Sequence, residues 1–374
     1  MDALIMSCGT GGGHNSAAAA VKEELERRGF RVTLFDPYEL VSKRLSRSID
    51  QTYIGMVQRS PRAFGAMYRL GDMYRRLPWR SPIYQANARM AGVLQRYLKT
   101  HHTDVIVMTH LYPGEIVTQM RRRGMALPPT VFVTTDYTCT PFVEEVECDR
   151  YILPGEELRA EFVRRGLPND RLLPYGIPVR RVFAEQIGRA EARAQLGLRP
   201  DGRYCLIFGG SMGAGQIPQI LRLLKKHYGD TLHPIVICGN NQRLHDRLTE
   251  RFGGFATILR FTDRVADYLR ACDLVLSKPG GLSSTEAAVV GTALIHITPI
   301  PGCETINQRF FAKRGMSLPV NEPRRELLAA CDRLLDEKNR AVMIDRQHRH
   351  IDSHAAEKIG ALIEQLAADD HCCV

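Results

Sequence analysis

Twice in this chain an apolar strand runs directly into a glycine-rich loop and then a helix, and this repeated unit limits the fold more than any other feature. The first instance is Ala3-Leu4-Ile5-Met6, then Gly9-Thr10-Gly11-Gly12-Gly13-His14 and an Ala-rich helix. The second is Tyr204-Cys205-Leu206-Ile207-Phe208, then Gly209-Gly210-Ser211-Met212-Gly213-Ala214-Gly215 and a helix through Leu221 to Leu224. Glycine lets backbone pass where a Cβ would clash, and the free N–H groups of a helix start attract anions, so each unit can close on a ligand. Together they predict two α/β domains, which 374 residues accommodate.

Between these landmarks strand and helix alternate, the signature of parallel sheets covered by helices. Strands are expected at Arg31 to Phe35, Asp104 to Thr109, Thr130 to Thr135 and Arg150 to Leu153, then at His233 to Cys238, Thr257 to Phe261, a run ending at Lys278, and Ala293 to Thr298. The run Pro174-Tyr175-Gly176-Ile177-Pro178 suits a hinge. The expected domains are therefore residues 1–178 and 179–374, with the last helix a candidate to pack back on the first domain.

One segment interrupts the alternation. From Lys43 to Lys99 there are twelve Lys or Arg against two acids, Asp50 and Asp72, so the segment carries the whole net charge of +10. It also holds Tyr53, Phe64, Tyr68, Tyr74, Trp79, Tyr84 and Tyr97, and Pro61, Pro78 and Pro82 divide it into short helices. Cations interleaved with aromatic and aliphatic side chains suit an anionic bilayer, and nucleic acid would attract the same charge. A helical insertion with solvated arginines is the plainer alternative.

No apolar run reaches the roughly 18 residues a membrane span needs, and Asp2 followed by glycines does not make a signal peptide, so a cytoplasmic protein is expected. The ten cysteines are scattered, several inside apolar runs (Cys8, Cys205, Cys238), without paired CxxC spacing, and read as reduced thiols without structural zinc.

Candidate functional residues gather after the strands, where open parallel sheets bind ligands. His14 lies near a helix start, which disfavours imidazolium and suits a base, or it is a histidine in an ordinary βα turn. Asp136, after Thr134-Thr135, is a base, a base's partner, or a turn aspartate. In Cys272-Asp273-Leu274-Val275-Leu276-Ser277-Lys278-Pro279-Gly280-Gly281-Leu282-Ser283-Ser284-Thr285-Glu286, a buried strand meets a tight glycine turn. Free N–H groups there suit a phosphate, Ser283 or Ser284 can cap the helix, and Glu286 can accept from a ribose diol or close an S-x-x-E capping box. Gly239-Asn240-Asn241 closes one strand, and Pro299-Ile300-Pro301-Gly302-Cys303-Glu304-Thr305-Ile306-Asn307-Gln308 brings polar groups to the same edge.

Taken jointly and in order, GTGGGH with AAAA behind it, GGSMGAG, ACDLVLSKPGGLSSTEA and PIPGCETINQ resemble the monogalactosyldiacylglycerol synthase and processive diacylglycerol glucosyltransferase group of glycosyltransferase family 28, relatives of the peptidoglycan GlcNAc transferase. The resemblance covers nearly the full length. It implies a GT-B architecture, two Rossmann-like domains with parallel sheets facing a cleft, and inverting transfer of a hexose from a UDP-sugar to a membrane lipid, diacylglycerol first among candidates. No metal or other cofactor is obligatory.

Carried over by motif, His14 is the base, with Asp136 the other catalytic candidate. Gly11, Gly12, Gly13 and Tyr137 belong to the acceptor loops. Gly209, Gly210, Ser211, Gly213, Gly280, Gly281, Ser283 and Ser284 flank the diphosphate, and Glu286 binds the ribose. Glu304 and Asn307 face the sugar, while Asn240, Phe261, Thr262 and Arg264 complete the donor site, with uracil held near Phe261 to Arg264. Segment 43–99 is implied to dock the enzyme peripherally on the cytoplasmic membrane and admit the lipid.

Two departures bear on substrates. Relatives usually place histidine and tryptophan after the Thr-Asp, where this chain has Tyr137, and often read PGQE where Cys303 precedes Glu304. Acceptor and sugar stay open on this ground. A polyprenyl-linked or soluble acceptor is the alternative, and a noncatalytic nucleic-acid-binding protein a remote one, against which two nucleotide-type loops argue.

Overall fold

A computed structural model describes residues 1–9, 12–75, 79–209 and 216–372, and for residues 53, 54, 57–59, 61–64 and 370–372 the backbone only. Among the site residues named from sequence, Gly11, Gly210, Ser211 and Gly213 lie outside this description.

The chain forms two compact units. The first comprises Met1–Arg181 with Pro301–Cys303 and Asp352–Val374, and the second Val182–Ile300 with Glu304–Ile351. In the first, strands β1 (Asp2–Met6), β2 (Arg31–Phe35), β3 (Val105–Met108), β4 (Thr130–Val133), β5 (Arg150–Ile152) and β6 (Leu172–Leu173) form one sheet in the order β2-β1-β3-β4-β5-β6. Every pairing is parallel, with Met6 opposite both Phe35 and Met108. In the second, β7 (Tyr204–Phe208), β8 (His233–Ile237), β9 (Thr257–Leu259), β10 (Leu274–Ser277), β11 (Ala293–Ile297) and β12 (Leu318–Val320) run in the order β12-β11-β10-β7-β8-β9, again all parallel.

These orders matter for function. In the first sheet the chain steps outward from β1 to β2, then returns to the other side of β1 for β3, and the second repeats this around β7 and β10. Loops leaving neighbouring strands in opposite directions open a crevice beyond the strand ends. Gly9 follows β1 at the first crevice, and Gly209 after β7 with Lys278-Pro279-Gly280 after β10 stand at the second.

Alternation along the strands sorts the core. Ala3 and Ile5 of β1, with Val105, Val107, Val131, Val133 and Ile152, pack against Ala18, Val21 and Leu25 of α1 (Gly12–Arg27) and against Ile359, Ile363 and Ala367 of the helix Ala355–Cys372. Cys8, Cys205 and Cys238 are buried free thiols.

The basic segment is helical: α2 (Lys43–Arg59), α3 (Pro61–Tyr74), α4 (Pro82–Ala86) and α5 (Met90–Thr100). Ser42 caps α2 by accepting from the Arg44 N–H, and Pro61 and Pro82 start α3 and α4, where a missing N–H leaves no helical bond unmade. α2 has 17 residues and α3 has 14, so only α4 is a short helix of the kind the prolines predicted.

The segment is clamped at its later end. The buried Arg75 guanidinium meets Glu144 through Nε at 2.6 Å, Arg80 reaches Glu147 and the Glu145 carbonyl, and Ser81 gives both its N–H and its hydroxyl to the Glu145 carboxylate. Next to this clamp stands α6 (Leu111–Arg122), which follows β3. Its Glu115 is fully buried.

Two strands were not expected from the sequence. β6 has two residues and β12 three, one of them proline, too short for any periodicity to register.

Candidate active site

The first unit assembles its polar centre from the ends of β1, β3 and β4. His14 is the third residue of α1. Its Nδ1 lies 2.8 Å from the Thr109 carbonyl oxygen, just past β3, and 2.9 Å from Thr135 Oγ1, just past β4. A carbonyl only accepts, so Nδ1 carries the proton and Nε2 is left with the basic lone pair. Burial lowers the His14 pKa, while the Asp136 carboxylate and the Thr109 carbonyl pull it the other way. The ring is therefore neutral near pH 7, as a base must be.

Sequence reading credited the neutrality to the helix end, but burial is the principal cause. Asp136 is half-buried and Tyr137 wholly buried, so the ring of Tyr137 is part of the packing here. Gly12 is exposed and Gly13 half-exposed at the start of α1.

His110 follows β3 and is the N-cap of α6. It stands edge-on to His14 with ring centroids 4.5 Å apart, and its Nδ1 accepts the Tyr112 N–H at the start of α6. That bond fixes the opposite tautomer from His14. Burial, with His14 adding, holds the His110 pKa well below the usual range. Two histidines side by side thus differ in tautomer, and only His14 stands on the glycine loop.

The second unit gathers its polar groups beyond β7 to β11. Gly209 follows β7, Asn240 is exposed after β8, and Phe261 beyond β9 is 68% exposed. Thr262 and Arg264 hold this corner: the Arg264 N–H donates to Thr262 Oγ1 and its guanidinium meets Asp267 at 2.9 Å. Beyond β10, Gly280 is the N-cap of the helix Gly281–Val290 and contributes no side chain to capping. The S-x-x-E capping box is accordingly not formed. Ser283 Oγ turns back to the Gly280 carbonyl at 3.4 Å, and Ser284 Oγ is buried against His296 Nε2 at 2.9 Å. Glu286 is the sixth residue of the helix, half-buried, a turn further in than the sequence suggested.

Behind this turn lies a rigid support. His296, fully buried on β11, bonds Ser284 through Nε2 and Ser317 through Nδ1 at 3.0 Å, and burial pushes its pKa down to about 3. Asn307 is fully buried on the helix Cys303–Lys313, where its amide donates to the Pro279 carbonyl at 3.0 Å. Its place is behind the glycine turn, holding it, where the sequence reading had it facing a sugar. Glu304, in the first turn of that helix, accepts the Ile300 N–H at 2.7 Å and so pins the proline loop.

Sequence reasoning gave no role to Lys278. It extends from the end of β10 at the glycine turn, and burial lowers its pKa while Glu304 opposes that shift. An ammonium partly stripped of water beside free helix N–H groups is suited to a diphosphate. The available signal was its position, a lone cation after the apolar run Leu274-Val275-Leu276.

Comparison with known proteins is consistent across the chain. Residues 14–179 match the family described as monogalactosyldiacylglycerol (MGDG) synthase, and residues 204–359 the glycosyltransferase family 28 C-terminal domain. Among curated relatives, a processive diacylglycerol beta-glucosyltransferase of Bacillus licheniformis is 27% identical over 90% of this chain and 87% of its own length. One from Bacillus subtilis is 25% identical over 97% and 94%, and a probable chloroplastic monogalactosyldiacylglycerol synthase 2 of Oryza sativa is 26% identical over 86% and 71%. Among solved structures, MurG of Acinetobacter baumannii superposes with a TM-score of 0.64 at 18% identity, covering 97% of this chain and 99% of that one. The spinosyn rhamnosyltransferase SpnG gives 0.65 at 15%, covering 98% and 100%. These structural likenesses share the GT-B fold.

Proposed function

The chain belongs to the MGDG synthase group of glycosyltransferase family 28, and on that premise we propose that it moves a hexose from a UDP-sugar, with inversion, to a membrane lipid acceptor, diacylglycerol first among candidates, making a glycolipid. The observation that carries this reading is the tautomer of His14. With Nδ1 held by Thr109, Nε2 takes the proton of the acceptor hydroxyl as its oxygen attacks the anomeric carbon, and the developing imidazolium is met by the Asp136 carboxylate. The C–O bond to the diphosphate breaks as the new glycosidic bond forms on the opposite face.

On the donor side, the leaving diphosphate lies at the N–H of Gly281, the first residue of its helix, and at the Lys278 ammonium, which supply the charge stabilisation this step needs, while the Gly280 N–H is held by the Lys278 carbonyl at 2.9 Å. Glu286 accepts from the ribose hydroxyls, and Phe261 with its neighbours borders the base. Asn307, Ser284 and His296 keep the turn in place from behind.

Lipid access falls to the basic segment. On α3, Met67, Leu70 and Met73 recur at three-residue spacing and are 43%, 63% and 63% exposed, with Arg69 exposed among them, and Trp79 beyond is 66% exposed. An apolar stripe flanked by cations lies in an anionic bilayer surface. No helix among the described residues is long and apolar enough to cross a membrane. Peripheral attachment to the cytoplasmic leaflet, where acceptor and anionic lipid meet, follows from this reading.

The test is incubation with a panel of UDP-sugars and vesicles containing diacylglycerol, with products identified by mass spectrometry. A hexosyl-diacylglycerol formed only with vesicles is expected. Transfer to a polyprenyl-linked or soluble acceptor that ignores diacylglycerol would overturn the lipid assignment and leave the donor assignment standing, and tight RNA binding without any nucleotide-sugar turnover would overturn both.

A further inference from the structure

Only two acids occur in the stretch that carries twelve cations, and both turn inward. Asp72 has an evident electrostatic use, since Arg75 and Arg165 each lie 3.3 Å from it. Asp50 has none. It lies on the inner face of α2, one turn beyond Ser46, whose buried hydroxyl donates to Asp36 at 2.7 Å, while Lys43, Arg44, Leu45 and Arg47 are exposed on that helix.

What Asp50 meets is the backbone of the GTGGGH loop. It accepts the Gly9 N–H, and a Cβ placed on Gly9 would fall 2.1 Å from Asp50 Oδ2, so a side chain there would push the carboxylate off this bond. The other oxygen, Oδ1, is buried and has no hydrogen-bond partner among the described residues. The charged groups that act on it, Asp36 and Glu39, are also acids, and together with burial they push its pKa up. Around it stand the Cys8 thiol and Tyr112, neither of them a cation. A half-satisfied carboxylate in such surroundings opposes folding. Sites that break a local rule at a loss of stability are commonly functional ones.

Resting on the assignment of His14 as base, we propose that Asp50 is a positioning residue for that histidine. The loop from β1 to α1 is gripped at two points. Ser7 Oγ donates to Asn15 Oδ1 at 2.7 Å, and the Gly9 N–H donates to Asp50. His14 is carried between these grips, and its Nε2 is aimed only while the loop holds its shape. Asp50 also ties the seating of α2 to the chain at Gly9, because the side chain that accepts the Gly9 N–H comes from that helix.

The experiment uses the full chain with Asp50→Ala and Asp50→Asn, measuring turnover, UDP affinity, thermal midpoint and amide hydrogen exchange over residues 7–16. For Asp50→Ala, kcat falls by about 10- to 100-fold, the loss expected when a catalytic group is misplaced by an ångström or so. UDP affinity stays unchanged, exchange in the loop quickens, and the midpoint holds or rises because a poorly satisfied buried charge has gone. Asp50→Asn keeps an oxygen for the Gly9 N–H and recovers most of the turnover.

Unchanged kcat in Asp50→Ala, an Asn variant no better than Ala, or a midpoint and kcat that fall together with loop exchange unaltered would each overturn the proposal. Wild-type product formation reads the proposed function on its own. Loop exchange reads the role of Asp50 whatever the acceptor proves to be.

Discussion

At the scale of the residue, the Thr109 carbonyl holds the Nδ1 proton of His14 and leaves Nε2 with the lone pair, and in the proposed role of His14 as base the opposing pulls of burial and Asp136 set the pH at which it works. Because the base must be unprotonated and its pKa is lowered, kcat/KM stays level through neutral pH and falls on the acid side with a midpoint below 6.5. Asp136→Asn removes a charge that raises this pKa, so the acid limb moves further down; a limb that stays put would separate Asp136 from the base. His14→Ala abolishes turnover and leaves UDP affinity intact, which calorimetry checks. Lys278→Met lowers kcat by about 10- to 100-fold through the lost cation at the leaving group, with partial return in Lys278→Arg. The placing of His14 and Glu286 on helices that follow strand ends was legible in the sequence, because a backbone-permissive run beside a strand has few other uses, while their roles rest on the proposed function. Asn307 and Ser284 were legible as polar groups near the site, but which face of their helices they occupy is decided by packing against Pro279 and His296.

At the scale of the element, strand identity came from apolar runs bounded by glycine and proline, and ten of the twelve strands among the described residues are readable in that way. Helix contacts far along the chain are not, since a glutamate on an amphipathic helix reads as solvated. Glu115 of α6 shows the difference. It is fully buried, and burial together with Glu145 pushes its pKa from an ordinary 4.5 to about 9. The folded chain keeps this proton while the unfolded chain releases it near the ordinary value. Stability therefore falls as pH rises between these limits, by up to about 1.4 kcal/mol per pH unit, and levels off above them. Glu115→Gln, neutral at every pH, flattens that part of a denaturation-versus-pH curve; an unaltered slope would show that the group titrates normally. The clamp formed by Glu144, Glu145 and Glu147 on Arg75, Arg80 and Ser81 was equally hidden, because its two halves are far apart in sequence.

At the scale of the whole molecule, the segment 43–99 bears a net charge equal to that of the chain, so the remainder is neutral overall. In the proposed membrane role, attraction to an anionic surface acts through this region and weakens with salt, as the screening length shortens from roughly 10 Å at 0.1 M to 3 Å at 1 M. Leu70→Glu with Met73→Glu places charge in the exposed stripe of α3, lowering co-sedimentation with anionic diacylglycerol vesicles at least severalfold while UDP affinity is kept; undiminished co-sedimentation would exclude α3 as the contact. Another property follows from the path of the chain, which opens the first unit at β1 and completes its core only with Ile359, Ile363 and Ala367. During synthesis the ribosome delivers the second unit, through Ile351, before that last helix exists. The later-made unit is thus expected to fold first, and nascent chains arrested once residue 351 has emerged should yield a protease-resistant fragment from the second unit while the first is still digested.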